Sequence, residues 1–209
     1  MIEVLKEQIE ADAQDVVVMR FVLHRLRQLG NDEAVDDILN NLGALRPAID
    51  VVVEYLASLR HSDRRVRHRI GRKVLAAAKK PTNGSYERMC LLSLFTLDDE
   101  FNHADQFEPL YARFTDSVTR RELILAMGRA GKDHWFRANR FDYQSLEPWS
   151  RRAFLAAFSC VDPDAATHFY RSLRNGANIL ERAVISWAQA FPFHRQLVQK
   201  PSSSKRPRA

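Results

Sequence analysis

The chain has 209 residues, enough for one large domain or two small ones, and its 45% hydrophobic and 28% charged residues are typical of a globular protein with a buried core. Two cysteines give neither a disulfide framework nor paired zinc-ligand spacing, so we expect a reducing, cytoplasmic setting. The N-terminal stretch lacks a signal-peptide pattern, and no run of about 18 apolar residues occurs, so we expect no membrane partner.

The net charge of +6 is unevenly distributed. Residues 60–80 contain nine Lys or Arg and one acidic residue, and four more cations follow from Lys200 onward, so the rest of the chain is acidic. Clustered positive charge on an otherwise acidic protein indicates nucleic acid or another polyanion as a partner, because cations that contact phosphates release condensed counterions.

Apolar residues recur at three- and four-residue spacing and Gly and Pro are few, which predicts helices rather than strands. Gly30 should end the first helical stretch, and Asp63 and Asp162 should be N-caps. Segments 32–42 and 47–59 are joined by a few residues and should form an antiparallel hairpin. About eleven helices are expected, within 2–29, 32–42, 47–59, 64–79, 86–97, 106–114, 117–130, 148–160, 162–174 and 178–190 and around Trp135.

Helix pairs that recur at roughly 30 to 40 residues predict an all-α fold of HEAT-like antiparallel pairs stacked as a short α-solenoid. An irregular helical bundle is the alternative architecture. Residues 1–195 should form this single helical-repeat domain. Residues 196–209 are polar, basic and rich in Pro and Ser, which predicts a disordered tail.

The segment 64–79 is the main candidate site. At 100° per residue Val66, Ile70 and Val74 share one face and the cations fall on the other. Few carboxylates are interleaved, so neighbouring cations repel by about a few tenths of a kcal/mol each. This cost indicates an external anionic partner, although a solvated helix face is the plain alternative. The predicted nucleic-acid-binding residues are Arg60, Arg64, Arg65, Arg69, Arg72, Lys73, Lys79 and Lys80.

Two other sets of residues are weaker candidates for such a surface. Paired arginines on later helices would line a common surface if the helices stack in order, but ordinary charges at helix ends are the favoured interpretation. The tryptophans could stack on bases, yet their spacing on apolar faces predicts core packing. The arginines are Arg120, Arg121, Arg151, Arg152, Arg171 and Arg174; the tryptophans are Trp135, Trp149 and Trp187.

The sequence contains no recognisable catalytic or metal-binding constellation, so we expect a non-catalytic protein without a cofactor or metal. The seven histidines include no HExxH pattern, and His103 with Asp105 and Glu108 is too weak a grouping to predict a metal site. Cys90 and Cys160 lie in apolar stretches and should be core thiols, with a single bridge between them as the alternative.

Two alternative functions stay open. One is a protein–protein interaction scaffold with an apolar groove. The other is a ribonuclease similar to the HEPN class, in which an arginine precedes a histidine by four to six residues, the spacing of Arg129 and His134. The sequence departs from that class at Ala130, where a polar residue is usual, and at Gly131, which should end the helix between them.

Three stretches resemble the helical region that follows the polymerase domain in bacterial reverse transcriptases of the abortive-infection and unknown-group kinds. They are DEAVDDILNNLGALRPAIDVVVEYLASL, SYERMCLLSLF and EPWSRRAFLAAFSCVDPDAATHFY. The resemblance implies a HEAT-like repeat region, an antiphage defence setting, and a role in holding nucleic acid beside a polymerase. The chain has no YxDD motif and no other palm carboxylates, so a polymerase would have to be a partner or another part of the same protein.

Overall fold

The computed structural model describes residues 1–11, 13–30, 32–97, 103–173 and 175–190. All regular structure in these ranges is helical, which confirms the all-α prediction, and no helix in them is long and apolar enough to cross a membrane. The helices are α1 (Ile2–Glu10), α2 (Val16–Leu29), α3 (Val35–Asn40), α4 (Ile49–Ser58), α5 (Arg64–Ala78), α6 (Ser85–Leu97), α7 (Phe107–Arg113), α8 (Ser117–Arg129), α9 (Asp133–Asn139), α10 (Pro148–Val161), α11 (Pro163–Leu173) and α12 (Ile179–Ala190).

The predicted helix-end residues are confirmed. The side chain of Asp63 accepts a hydrogen bond from the backbone N–H of Arg65 at 2.7 Å, and that of Asp162 accepts one from Ala165 at 3.0 Å. Each carboxylate satisfies a donor that the first helical turn leaves free. Gly30 ends α2 with φ of 62°, a left-handed conformation in which a side chain would be strained.

Six helices, α2, α4, α6, α8, α10 and α12, pack one on the next in chain order, and we call them the central row. Arg20 of α2 pairs with Asp50 of α4, and Arg151 of α10 pairs with Glu181 of α12. Arg27 of α2 also pairs with Glu54 of α4, so the contacts advance together along both helices and α2 and α4 run in the same direction. The other helices pack alongside: α1 on α2, α5 on α6, α7 on α8, and α9 and α11 on α10.

The predicted hairpin of segments 32–42 and 47–59 is wrong in its pairing. The helix α3 packs mainly on α5, whereas α4 lies between α2 and α6. The reason is that buried side chains occupy most of the circumference of α4, including Val51, Val52 and Val53 in succession. A helix that is apolar nearly all round needs neighbours on both sides, and a six-residue partner cannot supply that cover.

One continuous apolar cluster runs from Leu5 in α1 to Ala188 in α12. The helices α8 and α10 approach each other closely, since a Cβ placed on Gly128 would lie 2.5 Å from the Cβ of Ala157. The assignment of the packed helices to a HEAT-like solenoid, and of residues 1–195 to one domain, stays a prediction. The predicted basic tail, residues 196–209, lies outside the described residues.

Candidate polyanion-binding surface

The basic segment forms helix α5, whose two faces differ sharply. Ile70, Val74 and Ala78 are fully buried on the side that packs against α6. The helix has 15 residues, which corresponds to a length of about 22 Å. Its other side carries most of the predicted site residues and faces solvent. We call the following set the basic face: Arg60, Arg64, Arg65, Arg69, Arg72, Lys73, Lys79 and Lys80.

One edge of the basic face contacts α3. Arg69 Nη1 lies 3.0 Å from Asp36 Oδ1, and Lys73 Nζ lies 3.3 Å from the amide oxygen of Asn40. Asp36 and Asn40 are four residues apart on α3, so they form a ladder beside the two cations. The Arg69–Asp36 pair is largely exposed, and such pairs contribute little to stability.

The opposite edge contacts the segment that precedes α7. Lys79 Nζ lies 3.0 Å from the amide oxygen of Gln106. The rings of His68 and His103 lie 4.9 Å apart, and burial lowers the pKa of His103 below its usual value. His103 is therefore neutral at neutral pH, and Lys79 supplies a positive charge at this edge.

Between these edges the cations have no carboxylate partner in the described part of the chain. Arg65 and Arg72 are exposed and lie seven residues apart, about 10.5 Å along the helix axis. Arg64 and Lys80 are exposed in the same way. Arg69 is the one member of the basic face for which the described residues provide an ion pair.

The position of the cations along α5 adds to this electrostatic cost. The first turn contains Arg64 and Arg65 and no acidic residue. The N-terminal end of a helix is already partly positive, and cations there are unfavourable by up to about 1 kcal/mol each at low salt. Arg67, by contrast, donates to the carbonyl oxygens of Arg60 and Ser62 and closes the preceding turn, so its role is structural.

A second surface feature lies where three helices of the central row begin. A groove with a volume of about 350 Å³ crosses the first turns of α6, α8 and α10, and we call it the aromatic groove. The prediction that Trp149 is a core residue is wrong: it is 56% exposed, and Tyr86 across the groove is 62% exposed. The groove is lined by Tyr86, Met89, Ser117, Val118, Arg121 and Trp149.

The fold separates the members of each arginine pair. The guanidinium carbons of Arg121 and Arg152 lie 5.9 and 4.1 Å from the Trp149 ring centroid, so these two share one surface. Their sequence neighbours point elsewhere: Arg120 stacks on another ring, that of Tyr111, and Arg151 is the ion-pair partner of a buried carboxylate.

The remaining arginines and tryptophans of the two weaker candidate sets lie apart from both surfaces. Arg171 is exposed on α11, and Arg174 lies outside the described residues. Trp135 is buried, as predicted, and Trp187 is 40% exposed on α12, so its core assignment is only partly correct. Sequence analysis missed the aromatic groove because the groove forms where three helices begin side by side. The periodicity of a single helix does not show which of its residues lie at such an edge.

The weak metal pattern is dispersed by the fold. His103 stacks on His68, Asp105 accepts from Gln106, and Glu108 lies 2.9 Å from His134. No group of three or more His, Cys, Asp and Glu within the described ranges is arranged to hold a metal ion.

The residues of the ribonuclease hypothesis contact different neighbours. His134 contacts Glu108 of α7, whereas the charge of Arg129 acts on Cys160 of α10. Gly131, with φ of 70°, ends the helix between them as predicted. Cys90 and Cys160 are both free, and burial raises the pKa of each thiol, which disfavours the nucleophilic thiolate.

No protein-family model, curated protein or solved structure matches this chain. The resemblance to the helical region of reverse transcriptases therefore stays a prediction that depends on the three sequence stretches quoted above.

Proposed function

We propose that this protein is a helical module that binds nucleic acid by placing the phosphate backbone along the basic face. The observation that carries the proposal is that the carboxylates of the described residues do not neutralise the middle of the basic face. Arg65 and Arg72 are exposed in the middle of the basic face, on a helix about 22 Å long. Neither arginine has a carboxylate partner among the described residues.

The proposal accounts for an arrangement that costs stability in the free protein. Like charges at (i, i+4), such as Arg65 with Arg69, repel, and the helix N-terminus adds to the repulsion. A bound polyanion offsets both the repulsion between the cations and their unfavourable position at the helix N-terminus. Counterion release adds a further favourable contribution to binding. A surface needed only for solubility gains nothing from concentrating this charge on one helix.

The packing around α5 favours contacts to phosphates over contacts to base edges. Both flanks of the helix are covered, by Asn40 of α3 on one side and Gln106 on the other. A helix that does not project cannot enter a major groove deeply, so its cations reach the backbone. The module should therefore bind many sequences with similar affinity.

The decisive experiment measures binding to a fluorescein-labelled 15-base-pair DNA duplex by anisotropy over a salt series. The test variant combines Arg65→Gln, Arg72→Gln and Lys80→Gln, which remove exposed charges without breaking the Arg69–Asp36 pair. Affinity should fall more than about tenfold at low salt. The slope of log K against log salt should become shallower by about 0.9 for each phosphate that the variant leaves without a cation.

The matched control combines Arg25→Gln, Arg171→Gln and Arg182→Gln. These arginines are also exposed, have no carboxylate partner among the described residues, and lie on α2, α11 and α12. The control lowers the net charge by the same amount and should bind the duplex nearly as well as the parent chain. Equal reductions of affinity in both variants would reject the basic face as the binding site.

A polymerase partner and an antiphage setting are parts of the proposal that the resemblance alone supports, and a cytoplasmic location is a part that the cysteine content alone supports. The scaffold alternative predicts a protein complex that survives nuclease and high salt. Binding that disappears at high salt supports the nucleic-acid proposal instead.

A further inference from the structure

We propose that the aromatic groove holds one unpaired nucleotide of a single strand, with its base against Trp149 and Tyr86 and its phosphate at Arg121 and Arg152. This inference rests on the proposed function, because it names the form of nucleic acid that the same module would prefer. It adds a second contact region, at the starts of α6, α8 and α10, to the basic face of α5.

The groove has the size and the wall chemistry for one nucleotide. Its volume of about 350 Å³ lies at the small end of ligand sites. Two aromatic rings and the side chain of Met89 line it, and planar bases of any identity stack on aromatic rings. A tyrosine phenol is uncharged at neutral pH, and the hydrogen bond with Cys90 raises the pKa of Tyr86 further, so the phenol does not repel a phosphate.

Two arginines supply positive charge at the groove, Arg121 and Arg152, and both contact the Trp149 ring. Four carboxylates at this edge of the central row are paired with an arginine, and Arg121 itself lies 2.6 Å from Glu122. Arg152 contacts the Trp149 ring and has no carboxylate partner among the described residues. The other pairs at this edge are Arg20 with Asp50, Arg46 with Glu87 and Arg88 with Asp116.

The groove also lies close to the basic face along the chain. Lys80, at one end of the basic face, precedes Tyr86 by six residues, and six residues span at most about 21 Å. A stacked strand advances about 3.4 Å per nucleotide, so about six nucleotides bridge the two regions. A single strand of 15 nucleotides is therefore long enough to contact both.

The groove admits a base only when that base is out of a duplex. Bases in a duplex are stacked on their neighbours and paired, and removing one from the stack is costly. The proposal therefore predicts a contribution to single-strand binding that duplex binding lacks. An acidic or aromatic peptide in the same groove would give no such distinction between nucleic-acid forms.

The test compares anisotropy titrations of the full chain with 15-nucleotide oligo-dT, oligo-rU and a 15-base-pair duplex. In Trp149→Ala, binding of both single strands should weaken about tenfold, which matches the usual effect of removing one base stack. Duplex binding should stay within about twofold. Trp149→Phe keeps an aromatic ring and should restore most of the single-strand affinity.

The matched control is Phe141→Ala. Phe141 is 78% exposed and lies under the guanidinium group of Arg140 at 4.6 Å, so it is another aromatic–arginine pair outside the groove. Phe141→Ala should leave the affinities for oligo-dT, oligo-rU and the duplex unchanged. Equal effects of Trp149→Ala and Phe141→Ala on the single strands would overturn the proposal, and so would an equal weakening of duplex binding in Trp149→Ala.

Failure of the groove and failure of the basic face give different results. If the Arg65, Arg72 and Lys80 variant no longer binds the duplex while Trp149→Ala binds single strands normally, the groove proposal is wrong and the proposed function stands. If the parent chain binds oligo-dT but no duplex, and Trp149→Ala does not bind oligo-dT, the groove proposal stands without the basic face. Binding of neither form rejects both.

Discussion

The arginines of the central row and those of the basic face are the same residue type in opposite situations. In the central row Arg20 binds both oxygens of Asp50, at 2.8 and 2.7 Å, and Arg88 lies 3.1 Å from Asp116. On the basic face Arg65 has no such partner in the described residues. Cations in the row hold neighbouring helices together, whereas cations on α5 are left available.

The separation of the ion-pair partners along the chain explains this difference between the central row and the basic face. The two partners are separated by 30 residues in the Arg20–Asp50 pair and by 28 in the Arg88–Asp116 pair, about one helix pair along the chain. In these two pairs an arginine of one row helix binds a carboxylate at or just before the start of the next row helix. The helix α5 lies outside the row, beside it, and within the described ranges its one carboxylate partner is Asp36.

The largest expected effect comes from breaking a pair in the row. Arg151→Ala leaves the carboxylate of Glu181, whose side chain is 4% exposed, without its cation. Removing one partner of a buried pair costs about 3 kcal/mol or more, because the remaining charge is buried uncompensated. We expect the free energy of unfolding in urea to fall by that amount.

The neighbouring residue supplies the control. Arg152 contacts the exposed ring of Trp149 and no carboxylate of the described residues, so Arg152→Ala should change the free energy of unfolding by less than about 1 kcal/mol. If both substitutions destabilised the protein equally, the loss in Arg151→Ala could not be attributed to the Arg151–Glu181 ion pair.

The next largest effect concerns the close packing of the row itself. Gly128→Ala places a Cβ 2.5 Å from Ala157 Cβ and 3.0 Å from its Cα, so α8 and α10 must move apart. Overpacking of this kind costs about 1–3 kcal/mol. Gly43 is the matched site, since a Cβ there would meet no atom within 4 Å. Thermal unfolding should therefore shift downward in Gly128→Ala and hardly at all in Gly43→Ala.

The sequence was sufficient to predict features that depend on neighbouring residues along the chain. The amphipathic pattern of α5, its cap at Asp63 and the end of α2 at Gly30 are all local, and the structure confirms them. The all-α class follows from the same periodicity summed over the chain.

Features that depend on the arrangement of helices could not be predicted in this way. Trp149 begins a helix of the row, and the starts of α6, α8 and α10 together form an open edge, so an apolar residue there is exposed. Arg151 and Arg152 are adjacent in sequence, yet one hundred degrees of helix rotation sends one to Glu181 and the other to the groove.

An intermediate effect is expected from acid. Hydrogen bonding from Arg20 lowers the pKa of Asp50 below its ordinary value of 3.8. Burial alone would raise the pKa of Asp116, but hydrogen bonds from Thr119 and Arg88 outweigh it and lower this pKa as well. A depressed folded-state pKa stabilises the protein above the ordinary value, and this stabilisation disappears as the pH falls through and below 3.8.

Asp116→Asn tests this pH dependence, because asparagine also caps helices well and the substitution removes mainly the charge. Urea unfolding over a pH series from neutral to acid should show a smaller decrease of stability in Asp116→Asn than in the parent chain. An unchanged pH profile would mean that the Arg88–Asp116 pair does not stabilise the row.

The smallest effect should have the opposite sign and be found on the basic face. Arg65→Glu places a negative charge in the first turn of α5, four residues before Arg69, so both the helix dipole and the (i, i+4) interaction become favourable. We expect a gain of about 0.5 kcal/mol in the free energy of unfolding together with weaker duplex binding. Arg65→Gln removes the repulsion without adding attraction and should give a smaller gain. If both substitutions instead destabilise the fold, the charge of Arg65 is already compensated within the protein, and the contrast with the central row disappears.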